Sequence, residues 1–151
     1  MKIILDTNII FSCLLNSNGT IGDIIFDYHA DFEFYSCGYM RFEIDKHWEK
    51  LKRISKLSDK QLQESLFRLL TRIHYVNEEL IPERIWLKAE KLTRDIDIDD
   101  LDFVALTDYL KGMLWTGDKD LYDGLKKSGF KKVVNTQDLL RKRAQSPRKS
   151  K

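Results

Sequence analysis

The feature that most constrains this chain is a carboxylate near its start, placed between two apolar runs. The first fifteen residues read MKIILDTNIIFSCLL, so the apolar run at 2–5 is followed at once by Asp6. A short apolar run that ends at a polar turn is typical of a buried central strand. An ionised carboxylate in an apolar setting is costly unless it is paired, hydrogen-bonded or bound to a metal ion. We therefore expect the fold to bring other residues close to Asp6.

The length and charge of the chain predict one globular domain over residues 1–140, followed by a basic arm. Residues 141–151, RKRAQSPRKSK, carry six basic residues and no acidic one, which we expect to form a disordered tail. Because the whole chain carries a net charge of +2, the remaining body is mildly acidic, at −4. Asp6 interrupts the first apolar run too early for a signal peptide, and no window reaches a membrane-spanning length. The expectation is a cytoplasmic protein that does not bind a membrane.

Cysteine and histidine chemistry is not favoured by the pattern. Cys13 and Cys37 form no CxxC pair, and free buried thiols are the simpler interpretation. His29, His47 and His74 are scattered without zinc-ligand spacing. A site built from carboxylates is the better hypothesis.

Apolar periodicity predicts helices that alternate with strands. Strands are expected at 2–5, 32–36, 113–116 and 131–135. Helices are expected over 20–29, from 39 through 51, from 58 to about 74, from 82, over FVALTDYL to 112, over 118–127 and from 136. This order predicts an α/β fold in which a parallel sheet is sandwiched between helices.

Acidic residues recur where this fold would bring them together. Ligands in such folds lie beyond the carboxyl ends of the strands, and Asp6 follows the first strand. The other candidates lie on the helix after the second strand and on both sides of the third strand: Glu43, Asp99, Asp100, Asp102, Asp118 and Asp120. Carboxylates without a cationic partner repel one another, and a hard divalent cation removes that conflict. The pattern favours metal-assisted hydrolysis of a phosphate ester.

Each of these acids also has a simpler structural interpretation. Asp6 is able to cap a turn, and Glu43 is able to lie on a solvated helix face. The acids at 99–102 and at 118 lie where a helix N-terminus favours negative charge. Helical periodicity alone does not choose among Asp99, Asp100 and Asp102.

Three segments, taken together, carry a family resemblance. They are LDTNIIFS at the start, SCGYMRFEI in the middle and DDLDFVALTDYLKGMLWTGDKDL near the end. From Met1 to about Leu140 the chain resembles the PIN-domain nucleases, including toxins of bacterial toxin–antitoxin pairs. The resemblance implies a three-layer α/β/α sandwich with a central parallel sheet of four to five strands. It also implies an acidic pocket that binds Mg²⁺ or Mn²⁺.

The resemblance assigns roles residue by residue. It implies four catalytic and metal-binding acids, Asp6, Glu43, Asp100 and Asp118. It implies five supporting pocket residues, Thr7, Asn8, Ser36, Thr116 and Asp120. Asp100 is preferred over Asp99 and Asp102 because Phe103 and Ala105 then fall on the helical positions of the family.

The activity expected from this resemblance is a Mg²⁺- or Mn²⁺-dependent endoribonuclease that acts as the toxin of a toxin–antitoxin pair. Its expected partners are an RNA substrate, a cognate antitoxin protein and a second copy of the chain. An acidic centre needs basic residues around it to bind a phosphate backbone. The candidates are Lys46, Lys50, Arg53, Lys119 and Arg141, most of which are also explained as solvated helix faces.

Other functions remain open at this point. A PIN nuclease of RNA processing, or a PIN module that only binds RNA or a partner protein, has the same fold. Aspartate-based phosphatases also place Asp after a first strand, but they need a second Asp two residues later, where this chain has Asn8. A receiver domain needs adjacent acids after its first strand, which LDTNI lacks.

Overall fold

A five-stranded parallel sheet forms the centre of the molecule in a computed structural model that describes residues 1–27 and 31–145. The strands lie in the order β3-β2-β1-β4-β5, and every neighbouring pair is parallel. Their bounds are β1 Lys2–Leu5, β2 Glu33–Cys37, β3 Ile73–Val76, β4 Met113–Trp115 and β5 Val133–Val134. The prediction of an α/β fold with a parallel sheet is confirmed.

Helices cover both faces of this sheet. They are α1 Thr7–Leu15, α2 Thr20–Asp27, α3 Gly38–Lys46, α4 Trp48–Ser55, α5 Asp59–Leu70, α6 Glu83–Thr93, α7 Leu101–Leu110, α8 Lys119–Lys127 and α9 Thr136–Gln145. Right-handed crossovers put α1–α5 on one face of the sheet and α6–α8 on the other. The packing agrees, because α1 contacts α2, α3, α4 and α5, whereas α7 packs on α6 and the sheet. Over the described ranges, no single helix is long and apolar enough to cross a membrane.

The strand order places Asp6 at the point where the topology reverses. The chain moves outwards from β1 to β2 and β3 on one side, then returns to β4 and β5 on the other. The residues of β1 from Ile3 to Leu5 are fully buried, and Asp6 is the first residue after them. Crevices at such a switch point are where open α/β sheets bind their ligands.

Two predicted helices end earlier than the sequence pattern indicates. The helix expected from 39 through 51 is broken at His47, because a bend there lets both α3 and α4 pack on α1. The helix expected to run to about His74 ends at Leu70. Residues Ile73–Val76 instead form the edge strand β3, paired with β2, which brings the sheet to five strands.

The basic arm predicted to be disordered from residue 141 is helical over its first five residues. The last helix, α9, runs through Gln145, so the disorder expected of 141–145 is wrong. Its start is fixed by buried Leu139 and by Asp138, whose carboxylate accepts from the Asn135 N–H at 3.1 Å. Its end is tied to the start of β2 by an ion pair of 3.0 Å between Arg143 and Asp31. The rest of the arm, 146–151, and the end of the helix predicted at 20–29 lie outside the described residues.

Candidate active site at the carboxyl edge of the sheet

Asp6 joins the central strand to α1 and is almost completely buried, with 2 % of its surface exposed. Its Oδ1 accepts a hydrogen bond from the Ile9 backbone N–H at 2.9 Å, so this oxygen caps α1. Its Oδ2 is also buried, but it accepts no hydrogen bond of acceptable geometry from the described residues. Burial raises the pKa of Asp6 to about 6, although the Ile9 N–H and the nearby Thr116 hydroxyl lower it. The capping role of Asp6 therefore accounts for the burial of Oδ1 but not for the burial of Oδ2.

Glu43 lies in the second turn of α3 and is held by the residue that follows Asp6. The Thr7 hydroxyl donates a hydrogen bond of 2.6 Å to Glu43 Oε1. Burial raises the pKa of Glu43, and this hydrogen bond partly offsets the effect of burial. Thr7 thus connects α1 to α3 beside Asp6.

Asn8 does not join this group, although the resemblance implied a supporting role for it. It is exposed, and it lines a groove between α1 and α4 together with Phe11 and His47. One residue further along a helix turns the side chain by about 100°. Thr7 therefore reaches Glu43, whereas Asn8 is turned away.

Asp118 follows β4 and caps α8. Its Oδ1 accepts hydrogen bonds from the N–H groups of Asp120 and Leu121, at 2.9 and 3.3 Å. The Asp118 N–H in turn donates to the hydroxyl of buried Thr116 at 3.0 Å. Asp120 itself is exposed on the first turn of α8. The predicted supporting role of Thr116 has a geometric basis, whereas Asp120 contributes only its backbone.

Asp100 stands at the start of α7 and makes no side-chain capping bond there. Its Oδ2 is buried and, like Oδ2 of Asp6, accepts no hydrogen bond from the described residues. Burial raises the pKa of Asp100 to about 8, with further increases from the charges of Asp6, Asp97, Asp118 and Glu43. These interactions show that Asp100 lies among the same acids as Asp6.

The two neighbouring acids that periodicity left open point to other partners. Asp99 is exposed and accepts a hydrogen bond from the Tyr39 hydroxyl at 3.2 Å. Asp102 lies with Glu78 and Cys37, and the ligand atoms of these three side chains are all within 4.8 Å of one another. Besides burial, the charges of Asp6 and Asp118 raise the pKa of Asp100, whereas the charges of Glu78 and Glu43 raise the pKa of Asp102.

Ser36 contacts the strand that leads into the pocket. Its hydroxyl is fully buried and donates to the Leu5 carbonyl at 3.2 Å. This bond links β2 to β1 one residue before Asp6. The contact is to the strand rather than to any carboxylate.

The four acids fit a hard divalent cation by their chemistry. Two buried carboxylate oxygens, on Asp6 and Asp100, accept no hydrogen bond from the described residues, and the charges that most affect the pKa values of these two residues are those of other acids. No three of the four acids in the described chain have ligand oxygens all within 4.8 Å of one another. Mg²⁺ usually keeps several bound waters, so carboxylates that are too far apart to coordinate it all at once are still able to bind it through those waters. The oxygen-only donor set also favours Mg²⁺ or Mn²⁺ over softer metals.

The tighter group of Cys37, Glu78 and Asp102 fits such an ion less well. Both oxygens of Glu78 already accept hydrogen bonds, from the N–H groups of Gly38 and Tyr39, each at 3.1 Å. Burial raises the pKa of the Cys37 thiol, which disfavours the thiolate that binds metals. We interpret this group as a structural contact.

The predicted nucleic-acid-binding residues lie in three different parts of the fold. Lys46 lies on α3 and lowers the pKa of Glu43, and Lys119 directly follows Asp118. Lys50 and Arg53 are exposed on α4, with Lys50 on the groove that Asn8 lines. Arg141 forms an ion pair with Asp138 on α9, a helix whose end reaches the amino edge of the sheet. Lys46 therefore lies near an acid of the site and Lys119 adjoins one in sequence, whereas Arg141 is paired on a different helix.

Comparison with known proteins identifies the family. A family model of the PIN domain matches residues 4–141, which is most of the chain. This chain belongs to the PIN-domain family. Membership supports a hydrolase that acts on nucleic acid. No curated protein sequence matches this PIN-domain protein.

Solved structures share the fold of this PIN-domain protein at low sequence identity. VapBC2 from Rickettsia felis, bound to a DNA fragment from their promoter, matches with a TM-score of 0.68 and 15% identity, over 89% of this chain and 98% of that one. PAE2754 from Pyrobaculum aerophilum matches with a TM-score of 0.67 and 13% identity, over 97% and 91% of the two chains. VapBC-1 from nontypeable Haemophilus influenzae matches with a TM-score of 0.62 and 17% identity, over 91% and 99%.

One acid near the site was absent from the sequence prediction of this PIN-domain protein. Glu78 follows β3, as Asp6 follows β1, but the predicted helix extends to about His74 and so includes the first half of β3. The run IHYV at 73–76, which has β-branched and aromatic residues, was the available signal. Recognising it would have placed Glu78 at the same edge of the sheet.

Proposed function

We propose that this PIN-domain protein is a Mg²⁺- or Mn²⁺-dependent endoribonuclease. The observation that supports the proposal is the pair of buried carboxylate oxygens, Asp6 Oδ2 and Asp100 Oδ2, for which no described residue provides a hydrogen bond. Burying two such oxygens among further acids is unfavourable for an isolated protein. A divalent cation with bound water compensates for both and leaves room for a phosphate oxygen.

Asp6, Asp100 and Asp118 would hold the ion in this proposal. When bound, such an ion lowers the pKa of water and stabilises negative charge on a phosphoryl group. Glu43 orients the attacking water and accepts its proton, since Thr7 occupies Oε1 and leaves Oε2 for that role. Thr116 holds the backbone of Asp118, which positions this carboxylate at the start of α8 for its role in holding the ion. The expected products carry a 5′-phosphate and a 3′-hydroxyl.

The finer proposal is that the protein is the toxin of a toxin–antitoxin pair. Its support is the resemblance to PIN-domain toxins together with the fold likeness to VapBC2 and VapBC-1. We expect a cognate antitoxin protein as partner, a homodimer as the active assembly, and the cytoplasm as the location. Co-expression with a small DNA-binding protein encoded beside it is the direct test of the antitoxin.

Cleavage of a labelled RNA by the purified protein tests the nuclease. We expect cleavage with Mn²⁺ or Mg²⁺, none with EDTA, and a loss of at least 100-fold for Asp6→Asn. Asparagine keeps an oxygen that accepts from Ile9, so the helix cap and the fold should survive. Asp123→Asn, an exposed acid on α8, is the matched control and should cleave like wild type.

The end groups of the products provide the second readout. Ligation that requires a 5′-phosphate and a 3′-hydroxyl should succeed on the fragments without further treatment. Activity that survives both EDTA and Asp6→Asn would exclude the proposed mechanism.

A further inference from the structure

An exposed aromatic surface lies on α3, the helix that carries Glu43. The Phe42 ring is 58% exposed. It stacks on the Tyr39 ring, with 5.8 Å between centroids and 27° between planes. Since Tyr39 covers one face of Phe42, the exposed area is the opposite face and the edge.

A second planar pair adjoins the first. The Arg41 guanidinium lies over the Tyr75 ring, 4.6 Å from its centroid, and Tyr75 is 49% exposed on the edge strand β3. Arg41 is exposed, and within the ranges that the structure describes it pairs with no carboxylate. We call Tyr39, Arg41, Phe42 and Tyr75 the α3 platform.

The α3 platform borders the acidic site. Tyr39 lies one turn before Glu43 on the same helix face, and its ring stacks on the ring of Phe42. The Tyr39 hydroxyl donates to Asp99, the residue next to Asp100. A strand that presents a phosphodiester to the acids therefore passes the platform with an adjacent nucleotide.

We infer that the α3 platform binds unpaired bases of single-stranded RNA by stacking, with Phe42 as the contact and Arg41 beside it for the adjoining phosphate. This inference rests on the proposed nuclease function and specifies the form of its substrate. Aromatic faces with neighbouring Arg are how proteins bind single strands without reading sequence, because every base has a π face. A paired base has both faces covered by its neighbours in the duplex, so the platform should not increase the affinity for a duplex.

Anisotropy of a fluorescent single-stranded RNA decamer, in EDTA and low salt so that no cleavage occurs, measures the contact. We expect Phe42→Ala to weaken binding about tenfold, and Phe42→Trp to retain or strengthen it. Phe42→Leu keeps apolar area without a π face and should bind like Phe42→Ala. Phe67→Ala, on α5, is the matched control, because Phe67 is also an exposed helical phenylalanine, at 71%.

Abasic substitutions in the decamer test whether the Phe42 ring contacts a base. Scanning one abasic site along the RNA should find a position where wild type loses affinity and Phe42→Ala loses none. A duplex of the same length should bind wild type and Phe42→Ala equally. Equal single-strand binding by wild type, Phe42→Ala and Phe42→Leu would overturn the inference. So would a Phe42→Ala protein that changes molar mass in solution while binding RNA normally, because the ring would then belong to a protein interface.

The cleavage assay with Mn²⁺ separates this inference from the proposed function. If wild type binds with Phe42 dependence but does not cleave, the platform stands and the nuclease mechanism fails. If wild type cleaves and Phe42→Ala binds and cleaves equally well, the nuclease stands and the platform fails.

Discussion

At the level of single residues, the four acids differ in whether they keep a buried oxygen that accepts no hydrogen bond from the described residues. Glu43 receives one from Thr7, and Asp118 receives two from the first turn of α8. Asp6 and Asp100 each keep one buried oxygen without a donor. Asp6 is also held by the Ile9 N–H through its other oxygen, so what is bound in the pocket matters for one oxygen of Asp6 and one of Asp100.

Replacing Thr7 by valine tests the role of its hydrogen bond to Glu43. Valine has nearly the same shape in this buried position, but Glu43 Oε1 would lose its donor. We expect cleavage to fall about tenfold and its pH dependence to shift upwards, because the pKa of Glu43 would rise further. Thr7→Ser keeps the hydroxyl and should stay near wild type in both measurements. A valine variant with an unchanged pH–rate profile would show that Glu43 does not act through this oxygen.

Substitutions at Asp100 and Asp102 test which acid after residue 98 belongs to the site. Asp100→Asn should lower cleavage at least 100-fold, since its carboxylate interacts with Asp6 and Asp118. Asp102→Asn should lower it less than about threefold, because Asp102 pairs with Glu78 and an amide is able to hydrogen-bond there. The reverse order of effects would transfer the ligand role to Asp102.

The sequence predicts the position of Asp6 at the end of the central strand, because that strand is short and apolar. It predicts Asp118 for the same reason, since it follows the buried strand MLW. It does not distinguish Asp100 from its neighbours, because three acids share one turn and only packing decides which is buried. It also fails for Asn8, whose direction depends on where α1 begins.

At the level of elements, the N-terminus of α3 is capped by a residue distant in sequence. The residue at the cap position, Cys37, makes no side-chain capping bond. Glu78 accepts from both Gly38 and Tyr39 instead, each at 3.1 Å. A carboxylate at a helix N-terminus is stabilising, so Glu78 fixes the helix that carries Glu43 to the end of β3.

Glu78→Ala should lower the free energy of unfolding by about 1 kcal/mol, as the loss of a helix cap does. It should also lower kcat more than it raises KM, because Glu43 would be positioned less well while the platform remains. Urea unfolding and steady-state cleavage measure the two effects. Glu79→Ala, an exposed neighbour, is the control and should change neither. Normal kcat with reduced stability would limit Glu78 to a purely structural role.

Most elements follow from periodicity, and the exceptions have a physical cause. The strand β3 has only four residues and lies at the sheet edge, so its pairing with β2 decides its conformation. The break at His47 is a tertiary effect too, since the apolar spacing continues across it. Local pattern predicts where apolar faces lie but not how a neighbouring element bends the chain.

At the level of the whole molecule, the site makes the stability of the metal-free protein depend on pH in an unusual direction. The pKa values of Asp6 and Asp100 are raised to about 6 and about 8 in the folded chain. Well below pH 3.8, the ordinary pKa of aspartate, both residues are protonated whether the chain is folded or not. As the pH rises, the unfolded chain releases these protons first, so the folded state loses stability until both folded pKa values are passed.

We therefore expect metal-free protein to be less stable at pH 8.5 than at pH 5.5, by about 2 to 4 kcal/mol. The carboxyls with lowered pKa values, such as Glu90 and Asp138, stay ionised over this range and do not contribute. Urea unfolding in EDTA at both pH values measures the difference. Saturating Mn²⁺ should remove most of it, because binding to the folded state alone adds about 3 kcal/mol at 100 times Kd.

The double variant Asp6→Asn, Asp100→Asn is the control for this stability measurement. It should be more stable than metal-free wild type at pH 8.5 and insensitive to Mn²⁺, and its stability should vary less with pH, with a remainder from groups such as Asp102, whose pKa is raised to about 6. Asp123→Asn should behave like wild type in all three respects. A wild-type protein whose stability rises between pH 5.5 and 8.5 in EDTA would show that Asp6 and Asp100 are already compensated without a cation. In that case the acidic pocket would be a structural feature and not a metal site.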